Sequence, residues 1–108
     1  MTKLIINADD FGYSKGVNLG IIEAFQNGVV TSTTLMANMP GAAHAAELAK
    51  RNPALGVGIH FVLTCGKPLS STVPSLVSDK GEFYRMAEIE EFAVIEDIEL
   101  ELQTQFER

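Results

Sequence analysis

The segment Leu4-Ile5-Ile6-Asn7-Ala8-Asp9-Asp10-Phe11-Gly12 opens the chain with an apolar run that passes directly into two carboxylates. A short apolar run of this kind predicts a strand buried on both faces, which we place at residues 3–8. The two aspartates then stand where the strand exits into a loop. In parallel α/β barrels the functional side chains lie at the carboxyl ends of the strands, so this junction is the first candidate site.

Downstream of this segment, helical and strand-like patterns alternate along the chain. Apolar periodicity, with Gly and Pro at the ends of the periodic stretches, predicts strands at residues 3–8, 29–36 and 55–63, and helices at residues 14–27, 40–52 and 86–108. Ser14 is expected to cap the first helix, and Gly28 to end it in the left-handed conformation. The last helix, in which a break is possible, carries an apolar stripe made of Phe92, Ile95, Ile98, Leu102 and Phe106.

Between the third strand and the last helix, residues 64–80 are rich in Gly, Pro and Ser and predict a long loop. Loops of this length within a compact domain usually form functional lids or rims. The stretch Asp79-Lys80-Gly81 is typical of a turn and predicts a small hairpin that ends near Phe83 and Tyr84.

Three βα units in series imply parallel strands joined by right-handed crossovers. Three strands are too few to close a barrel. We therefore predict an α/β fold of the partial (β/α) barrel type. In this interpretation residues 1–108 are the N-terminal portion of a single barrel domain, and the remainder of that domain lies outside this chain.

Composition and charge exclude several classes of protein. No apolar run reaches the roughly 18 residues of a membrane span, and nothing at the start of the chain is typical of a secretory leader. The single cysteine, Cys65, cannot form an internal disulfide and indicates a cytoplasmic protein.

Residues 82–108 hold nine of the fourteen acidic residues and two arginines, a net charge of −7, against +1 for residues 1–81. This acidic segment is typical of a solvated helix, and no basic stripe exists for a nucleic acid partner.

Asp9 and Asp10 are the first residues that could carry chemistry. Adjacent residues of a regular strand point to opposite faces, but at the carboxyl end of a strand both can face the mouth of a barrel. One carboxylate could then ligate a metal ion while the other accepts a proton from water. The alternative interpretation is a surface turn, because Asp-Asp before Gly is a common turn composition.

His60 is the second candidate. It shares a strand face with Gly56 and Gly58, and glycines in a strand often mark the close approach of a ligand or another backbone. A neutral imidazole is a common metal ligand. The alternative interpretation is a hydrogen-bonded histidine of the core.

Other residues carry less weight as functional candidates. His44 lies in the Ala-rich helix, and we expect it on the surface without a partner. Cys65 lies in the long loop with no base near it in sequence, so a nucleophilic role is not expected. Gly12, Gly16 and Gly20 are spaced by four residues, which favours helix packing over a phosphate-binding loop.

Four blocks of sequence, taken in order, resemble the opening of the YdjC-like carbohydrate deacetylases. The blocks are Asn7-Ala8-Asp9-Asp10-Phe11-Gly12, then Gly16-Val17-Asn18 with Gly20-Ile21-Ile22-Glu23-Ala24, then Val30-Thr31-Ser32-Thr33-Thr34-Leu35-Met36-Ala37-Asn38, and Gly56-Val57-Gly58-Ile59-His60 with Leu63-Thr64. Together they cover residues 3–64. The ordered set is far more specific than any single block.

The resemblance implies a (β/α) barrel related to polysaccharide deacetylases, in which one Asp and two His residues bind a divalent ion and a second Asp is the base. By motif position, Asp10 and His60 are the implied metal ligands and Asp9 the implied catalytic base, although the two aspartates could exchange roles. The implied cofactor is one Mg²⁺ or Zn²⁺ ion, and the implied reaction removes N-acetyl groups from acetylated amino-sugar oligosaccharides. Family members are longer than this chain, and their second histidine ligand is expected beyond residue 108.

Two alternatives to a deacetylase stay open at this point. The chain could be a truncated or non-catalytic family member that acts as a binding module, since residues 1–108 contain no second histidine ligand and are expected to be inactive alone. It could instead belong to another barrel metallohydrolase, such as a phosphoesterase, which should show more than two histidines near strand ends. The expected partners are an acetylated oligosaccharide and further copies of the chain, with neither nucleic acid nor membrane.

Overall fold

The computed structural model describes residues 2–108. Within these residues the elements run in the order β1 (Asn7–Phe11), α1 (Lys15–Gln26), β2 (Ser32–Leu35), α2 (Ala42–Arg51), β3 (Gly56–Ile59), a short 3-10 helix (Pro74–Leu76), α3 (Met86–Phe92) and α4 (Ile95–Glu107). The chain divides into two compact units, of which the first ends at His60 and the second begins at Phe61. Among the described residues, no helix combines the length and the apolar character needed to cross a membrane.

The first unit is built on a parallel sheet with the strand order β1-β2-β3. Asn7 of β1 lies opposite Ser32 of β2, which in turn lies opposite Gly56 of β3. Helices α1 and α2 provide the two crossovers between neighbouring strands, as parallel pairing requires. The predicted α/β class with parallel strands is confirmed. Closure into a barrel, and the place of this chain within one barrel domain, stay predictions.

The core of the first unit lies on one face of the sheet, under α1 and α2. Its buried members are Phe11, Ile21, Ile22, Ala45 and Leu55, against which Ala8, Phe25, Val30, Leu35, Leu48 and Ala49 pack. Strand residues of the opposite face, such as Asn7 and Asp9, are exposed. The covered face therefore holds the strands together, while the uncovered face presents polar side chains.

Strand β1 occupies a later position than the sequence predicts. Leu4 and Ile5 are 75% and 77% exposed and precede the strand, so the prediction of a strand at residues 3–8 is wrong at both ends. The ladder instead continues to Phe11, whose side chain is fully buried and whose carbonyl accepts the N–H of Met36 at 2.7 Å. Because Phe11 is buried and bonded to the neighbouring chain segment, both aspartates lie within the strand rather than in the loop after it.

The ends of α1 confirm one prediction and correct another. The Ser14 hydroxyl accepts the N–H of Val17 at 3.1 Å, as an N-cap should. Gly28, however, is not left-handed: the helix ends at Gln26, the capping residue Asn27 has a φ of −121°, and Gly28 has no positive φ. A Cβ at Gly28 would lie 2.7 Å from the carbonyl oxygen of Ala24. Close approach of the backbone, rather than a left-handed turn, is the reason for glycine here.

In the second unit, the fully buried residues of α4 are Glu101 and Gln105, which are polar. The predicted apolar stripe is buried only in part, since two members are half-buried and three are exposed: Ile98 and Leu102, against Phe92, Ile95 and Phe106. The Glu101 carboxylate accepts the backbone N–H groups of Leu69 and Ser70 at 3.0 and 2.8 Å. Gln105 bonds both the N–H and the carbonyl of Val62, at 2.9 and 2.7 Å. Helix α4 therefore supplies partners to the backbone of the long connecting segment.

Two smaller features of the second unit match the sequence. The predicted break in the last helix lies at Ala93 and Val94, between α3 and α4. The predicted hairpin is present as an antiparallel bridge between Val77 and Phe83, with Gly81 at a φ of 76° in its turn.

Candidate active site

A bulge in β1 places both aspartates on the uncovered face of the sheet. Two residues of β1, Asp9 and Asp10, oppose the single residue Thr34 of β2. Asp10 adopts a φ of 72°, which is uncommon for a residue other than glycine. An extra residue of this kind reverses the alternation of side chains beyond it. The flanking Ala8 and Phe11 consequently both contact the helix-covered core, and the two carboxylates lie on the opposite side.

The rule that adjacent strand residues point to opposite faces therefore fails at this position, because β1 is not regular. The sequence offers only a weak signal of it, namely that Asp tolerates a left-handed backbone better than most residues other than glycine. Both carboxylates lie on one face of the sheet because of the bulge, whereas the mouth of a barrel stays a prediction.

His60 meets Asp10 at the carboxyl end of β3. Its backbone N–H donates to the carbonyl of Leu35 at 2.9 Å, which continues the β2–β3 ladder one residue beyond the strand. The His60 Nδ1 atom lies 3.5 Å from Asp10 Oδ1. This buried nitrogen makes no hydrogen bond, so the contact is an approach rather than a bond. The side chains of His60 and Asp10 remain 31% and 54% exposed, and the pair is open to solvent.

The pair of Asp10 and His60 fits a shared divalent ion. Two ligand atoms that each lie about 2.0–2.2 Å from Zn²⁺ in tetrahedral geometry are separated by about 3.4 Å. The observed distance of 3.5 Å matches this value. A buried polar atom without a partner is unusual, and coordination would satisfy His60 Nδ1. Within residues 2–108 no group of three His, Cys, Asp or Glu side chains is placed to hold an ion, so the described residues offer part of a ligand set.

Asp9 is held by a chain of polar side chains across β1 and β2. Its Oδ1 atom accepts the Asn7 amide at 2.9 Å and the Thr34 hydroxyl at 3.3 Å. The Ser32 hydroxyl in turn donates to Asn7 Oδ1 at 2.8 Å. These bonds orient the Asp9 carboxylate beside Asp10. Sequence reasoning missed Asn7, Ser32 and Thr34, although polar residues at alternate positions of two neighbouring strands were a signal that could have revealed them.

The glycines of β3 share the uncovered face, as predicted. Gly56 pairs with Ser32 and Gly58 with Thr34. A Cβ at Gly58 would contact only Thr34 Cγ2, at 3.8 Å, which is ordinary contact. The described residues therefore do not demand glycine at this position, and the face beside His60 is open.

His44 has a partner, which corrects the prediction of a partnerless surface residue. The side chain is half-buried, and its Nδ1 lies 3.1 Å from the amide nitrogen of Asn18. Cys65 belongs to the second unit and is half-buried.

Comparisons with known proteins agree on one family. The model of the YdjC-like protein family matches residues 3–108. The carbohydrate deacetylase of Geobacillus stearothermophilus is 70% identical over 104 residues, which cover 96% of this chain and 42% of that protein. The chitooligosaccharide deacetylase of Serratia marcescens is 55% identical over 109 residues, which cover 97% of this chain and 42% of that protein.

A solved structure is similar to this chain in its fold. A crystal structure from Enterococcus faecalis, of a protein named for the cleavage of cellobiose phosphate, matches with a TM-score of 0.88 and 43% identity. The match covers 94% of this chain and 41% of that one. The chain thus spans about two fifths of the length of these relatives.

Proposed function

The chain belongs to the YdjC-like family, and from this membership we propose that the protein that carries it is a metal-dependent carbohydrate deacetylase. The proposed substrate is an acetylated amino-sugar oligosaccharide, in keeping with the names of the Geobacillus and Serratia relatives. The observation that carries the proposal is the meeting of Asp9, Asp10 and His60 on one open face of the sheet. The single cysteine favours a cytoplasmic location.

Asp10 and His60 would hold one divalent ion, Zn²⁺ or Mg²⁺. The supporting observations are the 3.5 Å approach of Asp10 Oδ1 to His60 Nδ1 and the absence of any hydrogen bond to that nitrogen. Further ligation would come from a histidine beyond residue 108. When bound, the ion supplies Lewis-acid polarisation of the acetyl carbonyl and of the attacking water.

Asp9 would serve as the general base. Its carboxylate lies beside Asp10 in the bulge and is oriented by the Asn7 amide and the Thr34 hydroxyl. Asp9 takes a proton as the water oxygen bonds to the acetyl carbon, and the bond between that carbon and the amide nitrogen breaks. The proton taken by Asp9 is returned to the departing nitrogen, so Asp9 is regenerated as a carboxylate, one water is consumed, and acetate and the free amino sugar are the products.

A phosphoesterase is the weaker alternative. The chain contains two histidines, and His44 lies within α2 rather than at a strand end. Only His60 lies at the end of a strand. A phosphoesterase site with two metal ions would need further histidine ligands at strand ends. A non-catalytic binding module is the other alternative, and it predicts sugar binding without turnover.

The proposed activity can be tested by assays on the full-length protein that carries this chain. We expect acetate release from N-acetylated chitin fragments, loss of that activity after chelation, and its return when Zn²⁺ or Mg²⁺ is added. Release of phosphate from phosphorylated disaccharides, measured in parallel, would favour the phosphoesterase. Undiminished acetate release from a metal-stripped sample would refute the metal dependence, and sugar binding without any release would favour the binding module.

A further inference from the structure

The backbone that presents Asp10 is bonded from within the first unit by a buried side chain of α1. Asn18 has no exposed surface. Its Oδ1 accepts the N–H of Gly12, two residues after Asp10, at 2.6 Å. Its Nδ2 donates to the carbonyl of Gly41 at 2.9 Å and lies 3.1 Å from His44 Nδ1. One amide therefore joins the loop after β1 to the start of α2.

The orientation of the Asn18 amide follows from its partners. The Gly12 N–H can only donate, so the Asn18 oxygen must face it, and the Gly41 carbonyl can only accept, so the nitrogen must face that. The second hydrogen on Nδ2 then points to His44 Nδ1, which must accept it. The His44 ring consequently carries its hydrogen on Nε2 when neutral. The oxygen of the Asn18 amide thus faces a donor, and each of its two N–H groups faces an acceptor.

The two glycines that Asn18 bonds are themselves in close contact. Gly12 has a φ of 97°, and a Cβ there would lie 2.9 Å from Leu35 Cδ1. A Cβ at Gly41 would lie 2.8 Å from the carbonyl oxygen of Gly12. The backbones of Gly41 and Gly12 thus approach each other with no room for a side chain at Gly41, which limits the movement of Gly12 while the Asn18 bonds are intact.

We propose that Asn18 is a positioning residue for the metal site: it holds the bulge so that Asp10 keeps its left-handed conformation and its approach to His60. The inference rests on the proposed function in one respect, namely that Asp10 is a metal ligand. A left-handed backbone at a non-glycine residue is disfavoured and persists only where its surroundings impose it. Those surroundings are the buried Phe11 ring before Gly12 and the Asn18 bond at Gly12 itself.

Asn18 does not belong to the Asp10 and His60 pair, so its effect on an ion must pass through the backbone. Residues that orient metal ligands from outside the ligand set commonly contribute 10- to 100-fold in metal affinity or activity, and we expect about that loss when Asn18 is replaced. A residue needed only for stability would instead lower the unfolding temperature and leave the affinity of the folded protein unchanged.

The test uses Co²⁺ as the probe, titrated into the metal-free full-length protein and followed by its visible absorption, together with acetate release at saturating Co²⁺. Asn18→Ala should weaken Co²⁺ binding by about 10- to 100-fold and lower kcat, with KM nearly unchanged. Asn18→Asp keeps the shape but loses both donors, and it should also weaken binding. Gln26→Ala is the matched control, because Gln26 lies in the same helix and bonds Asn52 at 2.9 Å, on the exposed surface.

His44→Ala covers the case in which the Asn18 variants fail to fold. It removes one partner of the Asn18 amide and should weaken Co²⁺ binding in the same direction by a smaller factor. Co²⁺ affinities of Asn18→Ala and His44→Ala that equal that of Gln26→Ala would overturn the inference while wild-type binding and turnover still support the proposed function. A wild-type protein that neither binds Co²⁺ nor releases acetate would overturn both.

Discussion

Asp9 and Asp10 are neighbours in the chain, and the bulge between them gives the two carboxylates different surroundings. Asp10 lies 3.5 Å from a buried imidazole nitrogen, whereas Asp9 accepts hydrogen bonds from Asn7 and Thr34. This difference favours Asp10 as the ligand and Asp9 as the base, in the order that motif position implies. Substitution of each aspartate distinguishes this order from the exchanged one.

Replacing each aspartate by asparagine in the full-length protein should separate the two roles. We expect Asp9→Asn to keep its metal and to lose about 10²- to 10⁴-fold in rate, because only the proton acceptor is removed. Asp10→Asn should lower metal occupancy itself. Metal content by elemental analysis and acetate release would be measured on the same samples. Stoichiometric metal in both variants would show that Asp10 is not a ligand.

The sequence singles out candidate site residues, which stay a prediction, but it does not reveal how the backbone presents them. Asp9 and Asp10 stand out because two carboxylates come directly after an apolar run, and His60 because it shares a strand face with two glycines. The positive φ of Asp10 could not be foreseen, because it arises from the burial of Phe11 and from the Asn18 bond to Gly12. Both are tertiary contacts that a local pattern does not contain.

Among the elements, the order and type of strands and helices were predictable and the boundaries were not. Apolar periodicity found β1, α1, β2, α2 and β3 in sequence, yet the strands are shorter than the apolar runs that indicated them. Leu4 and Ile5 show why, since they are apolar and still lie outside the sheet. Hydrophobicity indicates which residues are suited to burial. A strand, in contrast, ends where the neighbouring strand no longer pairs with it through backbone hydrogen bonds.

Helix α4 is the element whose fully buried side chains the apolar periodicity did not indicate. Its buried positions are occupied by Glu101 and Gln105. Their side chains accept hydrogen bonds from backbone N–H groups of the segment before the 3-10 helix, which would otherwise need backbone partners. The loss of an acceptor would leave the N–H groups of Leu69 and Ser70 without that bond, and an unsatisfied buried donor costs about 1–3 kcal/mol.

Glu101→Ala should therefore loosen the segment locally. We expect faster hydrogen–deuterium exchange at the amides of Leu69 and Ser70, which Glu101 bonds at 3.0 and 2.8 Å. Glu99→Ala, at an exposed position of the same helix, is the control and should leave exchange unchanged. Equal exchange in both variants would show that Glu101 does not hold the segment.

Across the whole molecule, the described residues carry part of a site and a sheet with two unpaired edges. The relatives extend to more than twice the length of this chain, since it covers 42% of the Geobacillus protein. Strands β1 and β3 each pair on one side only, and an unpaired strand edge invites pairing with another chain. Asp10 and His60 would leave most of an ion's coordination to solvent.

Purified residues 1–108 should accordingly bind Zn²⁺ weakly, release no acetate and self-associate. A catalytic zinc usually takes three protein ligands, and this chain offers two with Asp9 nearby. Calorimetric metal titration, an acetate assay and sedimentation velocity would measure the three properties on one preparation. A monomer with tight binding and turnover would mean that the ligand set is complete without a further histidine.

Anomalous diffraction from crystals of the full-length protein loaded with Zn²⁺ would locate the ion itself. We predict one ion bonded to the Asp10 carboxylate and to His60 Nδ1, each at about 2.0–2.2 Å, with Asp9 hydrogen-bonded to a water on that ion. The left-handed backbone at Asp10 should be retained in the same crystals. An ion bonded through Asp9 in place of Asp10, or one located away from His60, would contradict the assignment.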